Sequence, residues 1–124
     1  MPRAIPLFLI VAAAMLAASP FMIDAAPPEA TMGLVQKIFY YHAPLGMMMF
    51  LSAFVSGTAA AVYLFKGHAG ADRVSFAAAE ITVLFGSMVL VTGPLWARKA
   101  WGVWWQWDAR LTSMFVLLIM YLGI

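Results

Sequence analysis

Three long apolar stretches constrain this chain more than any other feature. Residues 5–23, 45–65 and 74–96 are almost wholly apolar, and only the third contains a charge, Glu80. A helix needs roughly 20 such residues to cross a hydrocarbon core about 30 Å thick, since each residue rises about 1.5 Å. Of the 124 residues, 65% are hydrophobic and 10% charged, whereas soluble domains carry about 25% charged residues. So short a chain cannot hide that excess in a globular core; lipid is the solvent that accepts it. The expected fold is an all-α membrane protein, a helical bundle of three transmembrane helices plus the start of a fourth at residues 111–124, in one integral-membrane domain over residues 1–124.

Charge and cysteine content exclude several functions. The net charge is +2 and the seven Lys and Arg residues are scattered, which is not the one-sided basic surface that nucleic-acid binding needs. Cysteine is absent, so disulfides, thiolate metal sites and cysteine nucleophiles are excluded.

Between the spans the polar residues mark turns. Residues 24–37 include Pro27, Pro28 and Glu29 and read as an aqueous loop. Tyr40 and Tyr41 follow at the expected interface, and Pro44 falls in the expected first turn of the second span, where proline is tolerated. Ser52, Ser56 and Gly57, with Ala53, Ala60 and Ala61, let another helix approach closely. Residues 66–73 form a short polar turn. Alternation puts Arg3, Lys66 and Arg73 on one side and Lys37, Arg98, Lys99 and Arg110 on the other. Three basic residues against four do not orient the chain. The first stretch has two readings: a retained helix, which its length favours, or a secretory signal within residues 1–26, given Arg3 and the small residues near 17–19 and 24–26. Pro20 is expected to kink that helix or to mark its exit from the bilayer.

The segment WGVWWQWDARLTS at residues 101–113 carries the most chemistry. Four of the five tryptophans lie between positions 101 and 107, and Trp96 is just upstream. One or two tryptophans suffice for an interfacial anchor; this cluster exceeds that need. A helix through the segment would put Trp101, Trp104, Trp105 and Asp108 on one side and leave Trp107 off the stripe, with Gly102 as the place where such a helix breaks. An aromatic shelf flanked by Arg98, Lys99 and Arg110 suits a large planar apolar ligand with carboxylates at its edge. Haem meets that description; quinones and lipid-linked substrates meet parts of it.

His42 shares the membrane face of the tryptophan segment, and imidazole is a standard axial ligand of haem iron. A histidine near a helix end is more commonly an interfacial polar residue, so both readings stand. His68, in the opposite turn, reads as solvated. Glu80 is an intramembrane carboxylate with three readings: functional, reaching the headgroups, or protonated. Met47, Met48 and Met49 face different directions on a helix and read as packing or lipid-facing residues.

With these residues in view, residues 101–113 resemble the tryptophan-rich WWD signature of membrane haem-handling proteins in cytochrome c biogenesis. The ending DARLTS is similar to the haem exporter protein C family (CcmC), and so are KIFYYHAP at 37–44, LVTGPLW at 90–96 and LLIMYLG at 117–123. The resemblance covers about residues 33–124. It implies haem handling and transfer rather than catalysis, with b-type, non-covalent haem as cofactor. It implies the bacterial inner membrane, with His42 and the WWD segment, residues 97–110, on the periplasmic side. His42 then matches an axial ligand of the iron, while Trp101, Trp104, Trp105, Trp107 and Asp108 match the motif that cradles the porphyrin. Arg98 and Arg110 are the expected propionate partners. The implied protein partners are the haem chaperone CcmE, the CcmA/CcmB ABC-type complex and CcmD, with membrane lipid around them and no nucleic acid.

The family resembled has six transmembrane helices and a second axial histidine between the last two. Residues 111–124 would be an incomplete fourth, and the implied cytoplasmic turn cannot offer His68 as a substitute. The expectation is therefore a fragment or truncated product, or a chain that borrows its second ligand. Two other classes remain: a haem-attaching synthetase component, which would continue Asp-Pro and then a glutamate where this chain has Ala109, and a structural subunit anchored by tryptophan.

Overall fold

The computed structural model describes residues 4–123, so Arg3 and Ile124 lie outside the described residues. Four helices follow in order: α1 (Ala4–Ala25), α2 (Gln36–Lys66), α3 (Ala69–Trp101) and α4 (Ala109–Leu122). The first three are long and apolar enough to cross a membrane, and α4 is a shorter apolar helix. The chain is a multi-pass, all-α membrane protein. It divides into two compact units, residues 1–37 and 38–124.

In the first unit, α1 runs on past Pro20 to Ala25. Proline has no N–H to give the carbonyl four residues back; here the Ser19 hydroxyl donates to that Leu16 carbonyl at 2.8 Å. The connection after α1 is ordered around Glu29, whose carboxylate accepts from the Met32 N–H at 2.7 Å and from the Thr31 N–H and hydroxyl at 3.0 Å each. Those bonds, the Met32 N–H foremost, hold the Glu29 carboxyl below its ordinary value. Lys37 Nζ pairs with Asp24 Oδ1 at 3.1 Å, an exposed contact of small worth.

The second unit is built on α2 and α3, which run antiparallel. Residue pairs across them fall in opposite order: His42 with Thr92, Ser52 with Thr82, Ser56 with Ser75. The Ser56 and Ser75 hydroxyls each donate to the other's backbone carbonyl at 3.0 Å. Thr82 Oγ1 lies 2.9 Å from Ser52 Oγ and is fully buried. Lipid supplies no competing donors or acceptors, so such groups pair within the protein. Small residues at the seam (Ser52, Ser56, Ala78, Ala79 and Gly86) allow the approach. The small-residue pattern in α2 thus finds its neighbour in α3, although Gly57 itself is exposed. Leu118 of α4 packs beside Gly86 and Met49, and Tyr121 Oη donates to the Ala53 carbonyl at 2.9 Å.

One expectation is corrected. Pro44 is inside α2, not in its first turn, because that helix begins at Gln36. Both long helices also outrun their apolar cores: α2 has 31 residues and α3 has 33, about 46 and 50 Å of helix at about 1.5 Å per residue. Backbone pairing continues after hydrophobicity stops.

A β-carbon added at Gly86 would lie 3.0 Å from Leu118 Cδ1. Overpacking of this kind costs about 1–3 kcal/mol; Gly86→Val is expected to lower stability by that amount in reversible unfolding from mixed micelles. For Glu29, the lowered pKa means its bonds are present above the ordinary carboxylate value and are lost as pH falls through the lowered one. The Thr31 and Met32 amide signals should shift below the ordinary glutamate midpoint; a transition at that midpoint would contradict the turn.

Candidate functional site

The antiparallel arrangement brings the start of α2 beside the end of α3, and a cleft opens there. Phe39 and His42 line it from α2; Leu90, Gly93, Pro94, Trp96 and Trp101 from α3; Trp105 from the following connection; and Arg110, Leu111 and Met114 from α4. Its enclosed part holds about 160 Å³, less than the roughly 300–1,000 Å³ of common ligand pockets, but it shares with them a mostly apolar wall and a few placed polar groups.

Local chain chemistry builds the rim. Helix α3 ends because Gly102 takes a left-handed φ of 79°, and its N–H returns to the Arg98 carbonyl at 3.1 Å. Glycine adopts that conformation without a Cβ penalty. Arg98 donates from Nη1 to the Gly102 carbonyl, and its guanidinium sits 5.9 Å from the Trp104 ring centre. Residues 102–108 are not helical. Asp108 then caps α4, accepting from the Leu111 N–H at 2.7 Å. Its other oxygen is 3.6 Å from Arg110, whose guanidinium lies 5.1 Å from the Trp101 ring centre. Arg110 is thus steered over the cleft by a carboxylate on one side and an indole face on the other.

The aromatic rings form two groups. Trp96 meets Trp101 edge-on at 4.8 Å and Phe39 at 6.4 Å. Trp105, Trp107 and Phe115 meet edge-on at 5.5–6.1 Å. Such T-shaped pairs suit the ring quadrupoles. The indole N–H groups of Trp96 and Trp105 are buried without an acceptor among the described residues. Buried donors without partners are rare, and each calls for an explanation. His42 is half-buried, with Nδ1 2.9 Å from Thr92 Oγ1.

The continuous aromatic stripe expected of a helix through residues 101–108 does not form, because Gly102 ends the helix. Of the residues picked out from sequence, the structure brings His42, Trp101, Trp105 and Arg110 to one cleft. Trp107 lines a neighbouring hollow with Trp105 and Phe115. Trp104, Arg98 and Asp108 are not in the cleft wall; the last two shape the segment that carries it. His68 is exposed and caps α3, accepting from the Ala71 N–H at 3.2 Å. Glu80 is exposed beside Tyr121 and Leu122.

Comparison with known proteins decides the family. Residues 1–124 match the model of the family described as CcmC, Heme exporter protein C. The chain belongs to this family. Among its curated relatives, Heme exporter protein C of Bradyrhizobium diazoefficiens is 35% identical over 122 residues, covering 98% of this chain and 46% of that protein. Heme exporter protein C of Escherichia coli is 37% identical over 102 residues, 80% of this chain and 40% of that protein. A putative cytochrome c biosynthesis ccmC-like mitochondrial protein of Marchantia polymorpha is 37% identical over 98 residues, 79% of this chain and 43% of that protein. The chain thus spans less than half the length of these relatives.

Two stretches that carry the resemblance to heme exporter protein C, residues 37–44 and 90–96, meet across the α2–α3 seam and both line the cleft. Phe39, Thr92, Gly93 and Trp96 had been assigned no role. The Gly-Pro pair at 93–94 inside an apolar run was the available signal, since such pairs punctuate helices for a reason. Asp108→Ala is expected to cost about 1 kcal/mol through loss of the α4 cap, while Asp108→Asn keeps most of that stability. Unfolding of both variants in micelles checks this.

Proposed function

We propose that this chain forms a haem-handling wall of the heme exporter protein C type, presenting haem for cytochrome c maturation. The observation that carries this reading is an imidazole, His42, set in an apolar cleft with Trp101 and Trp105 and overhung by the Arg110 guanidinium. Among the described residues no three His, Cys, Asp or Glu side chains gather as a chelating set, so His42 is suited to be a single axial donor rather than part of a metal cage. The donor set fits haem. The open apolar cleft can cover one edge of a macrocycle, and Arg110 with the unpaired Trp96 and Trp105 N–H groups can receive carboxylates.

Haem would supply an iron that accepts an imidazole nitrogen. In this chain His42 would offer that nitrogen, Trp101 and Trp105 would keep water from the macrocycle, and Arg110 would hold a propionate. Asp108 positions Arg110, and Arg98 holds the turn at Gly102. Trp104 and Trp107, 56% and 72% exposed, are placed outward, where indoles favour the membrane interface.

The finer reading follows the family. Residues 5–23, 45–65 and 74–96 lie in the bacterial inner membrane as one domain, and residues 97–110 with His42 face the periplasm. Haem, held non-covalently as b-type, passes to the chaperone CcmE with help from CcmA/CcmB and CcmD. Holding haem through iron coordination, with no link to the porphyrin itself, would suit a carrier, because exchange of one axial ligand for another releases the cargo with its macrocycle intact.

Haem titration of the chain in nanodiscs, followed by the Soret band, tests this. His42→Ala should weaken binding about tenfold or more, equivalent to about 1.4 kcal/mol or more, and change the ligation state. Trp104→Phe should leave affinity within about twofold, or about 0.4 kcal/mol. Unchanged binding and ligation in His42→Ala would end the proposal.

A further inference from the structure

His42 does not stand free in the cleft. Its Nδ1 is 2.9 Å from Thr92 Oγ1, across the α2–α3 seam and 50 residues away in sequence. A threonine hydroxyl has one proton to donate and two lone pairs to offer. Oγ1 of Thr92 also lies 2.9 Å from the Met88 carbonyl and 3.4 Å from the Val89 carbonyl, and carbonyls can only accept. The assignment that satisfies every contact gives the threonine proton to its own helix and has the His42 Nδ1–H donate to Oγ1. In a neutral ring the other nitrogen, Nε2, is then bare.

The neighbour of Thr92 restricts the ring in another way. A β-carbon at Gly93 would lie 3.2 Å from His42 Cε1 and 3.9 Å from Nδ1. The first distance is tighter than ordinary van der Waals contact, so any side chain at 93 displaces the ring or the helix. Glycine in a helix interior is unfavourable relative to alanine, and here its smallness makes room for the imidazole.

We infer that Thr92 and Gly93 are positioning residues for His42: Thr92 fixes the Nδ1–H tautomer and leaves Nε2 as the electron-pair donor, while Gly93 sets the ring's place in the cleft. The consequence for haem rests on the proposed function; the tautomer does not. Hydrogen bonding by the second nitrogen of a ligating histidine orients the ring and raises its basicity, and loss of such a partner typically costs about 10–100-fold in metal affinity.

His68 provides an internal reference. Its Nδ1 accepts from the Ala71 N–H at 3.2 Å, so its neutral ring carries the proton on Nε2, the opposite tautomer. Nitrogen NMR of the ring-labelled, haem-free chain in nanodiscs, above the ordinary histidine pKa of about 6.5, should show both forms, with His68→Gln assigning the signals. Thr92→Val should abolish the fixed Nδ1–H signature of His42, and Thr92→Ser should restore it. Haem affinity should fall about 10–100-fold in Thr92→Val and recover in Thr92→Ser. Gly93→Ala should shift the His42 ring signals and weaken haem binding while leaving the Nδ1–H tautomer in place, a combination that Thr92→Val does not give.

A protonated Nε2 on His42 in the unmodified chain overturns the inference, whatever the variants do. So does an unchanged His42 signature in Thr92→Val. Failure of His42→Ala to alter haem binding would instead remove the functional reading and leave the tautomer standing, so the two failures are distinguishable.

Discussion

The close approach of α2 and α3 sets the position of everything that touches the cleft. In lipid two apolar helices gain little by burying greasy surface, because the acyl chains are equally apolar; packing and interhelical hydrogen bonds must hold them. The seam answers with small side chains and paired hydroxyls, from the reciprocal Ser56–Ser75 bonds through Ser52–Thr82 to His42–Thr92. The last of these rungs is also the first contact of the cleft. Any change in spacing between the helices is therefore felt at the imidazole. Leu118 over Gly86 ties α4, and with it Arg110, to the same frame.

Much of this frame was legible from residue order, because membrane spans announce themselves by composition. Residues 5–23, 45–65 and 74–96 each fall within one long helix, and residues 111–122 lie in α4. Helix ends were less legible. Hydropathy marks where lipid stops, but backbone pairing extends α2 back to Gln36, which places Pro44 in its interior. The site was legible in part for a related reason. His42 and the tryptophan segment share an end because an antiparallel pair demands it, so topology alone brought them together. Whether Trp104 or Trp105 faces inward depends on the irregular path after Gly102, and no periodicity governs a segment without regular structure. The Thr92 contact was hidden more deeply, since nothing in residues 37–44 indicates which hydroxyl, 50 positions on, will meet the ring.

The tryptophan segment divides its labour. Trp101 and Trp105 contribute to the cleft, whereas Trp104 and Trp107 look outward. Asp108 and Arg98, which read as ligand contacts when the segment is treated as one surface, also manage the backbone: one caps α4 and one bonds the turn that ends α3. This explains why a carboxylate belongs beside a site proposed to receive propionates. Asp108 serves the α4 N-terminus, where a helix dipole favours negative charge, and its second oxygen turns Arg110 toward the opening.

The same helix stretch shows what the site costs the fold. Gly93 and Pro94 are among the poorest residues for a helix interior, and Pro94 has no N–H to give the Leu90 carbonyl. Farther along the seam, Gly86 is filled by Leu118 and contributes to packing. Gly93 has the edge of an imidazole against it instead, and Leu90 and Pro94 open onto the cleft. Two glycines on one helix thus serve different ends: one lets α4 approach, and the other leaves space for the His42 ring. A β-carbon at position 93 would meet that ring at 3.2 Å, so the helix gives up propensity there to keep the imidazole where it lies.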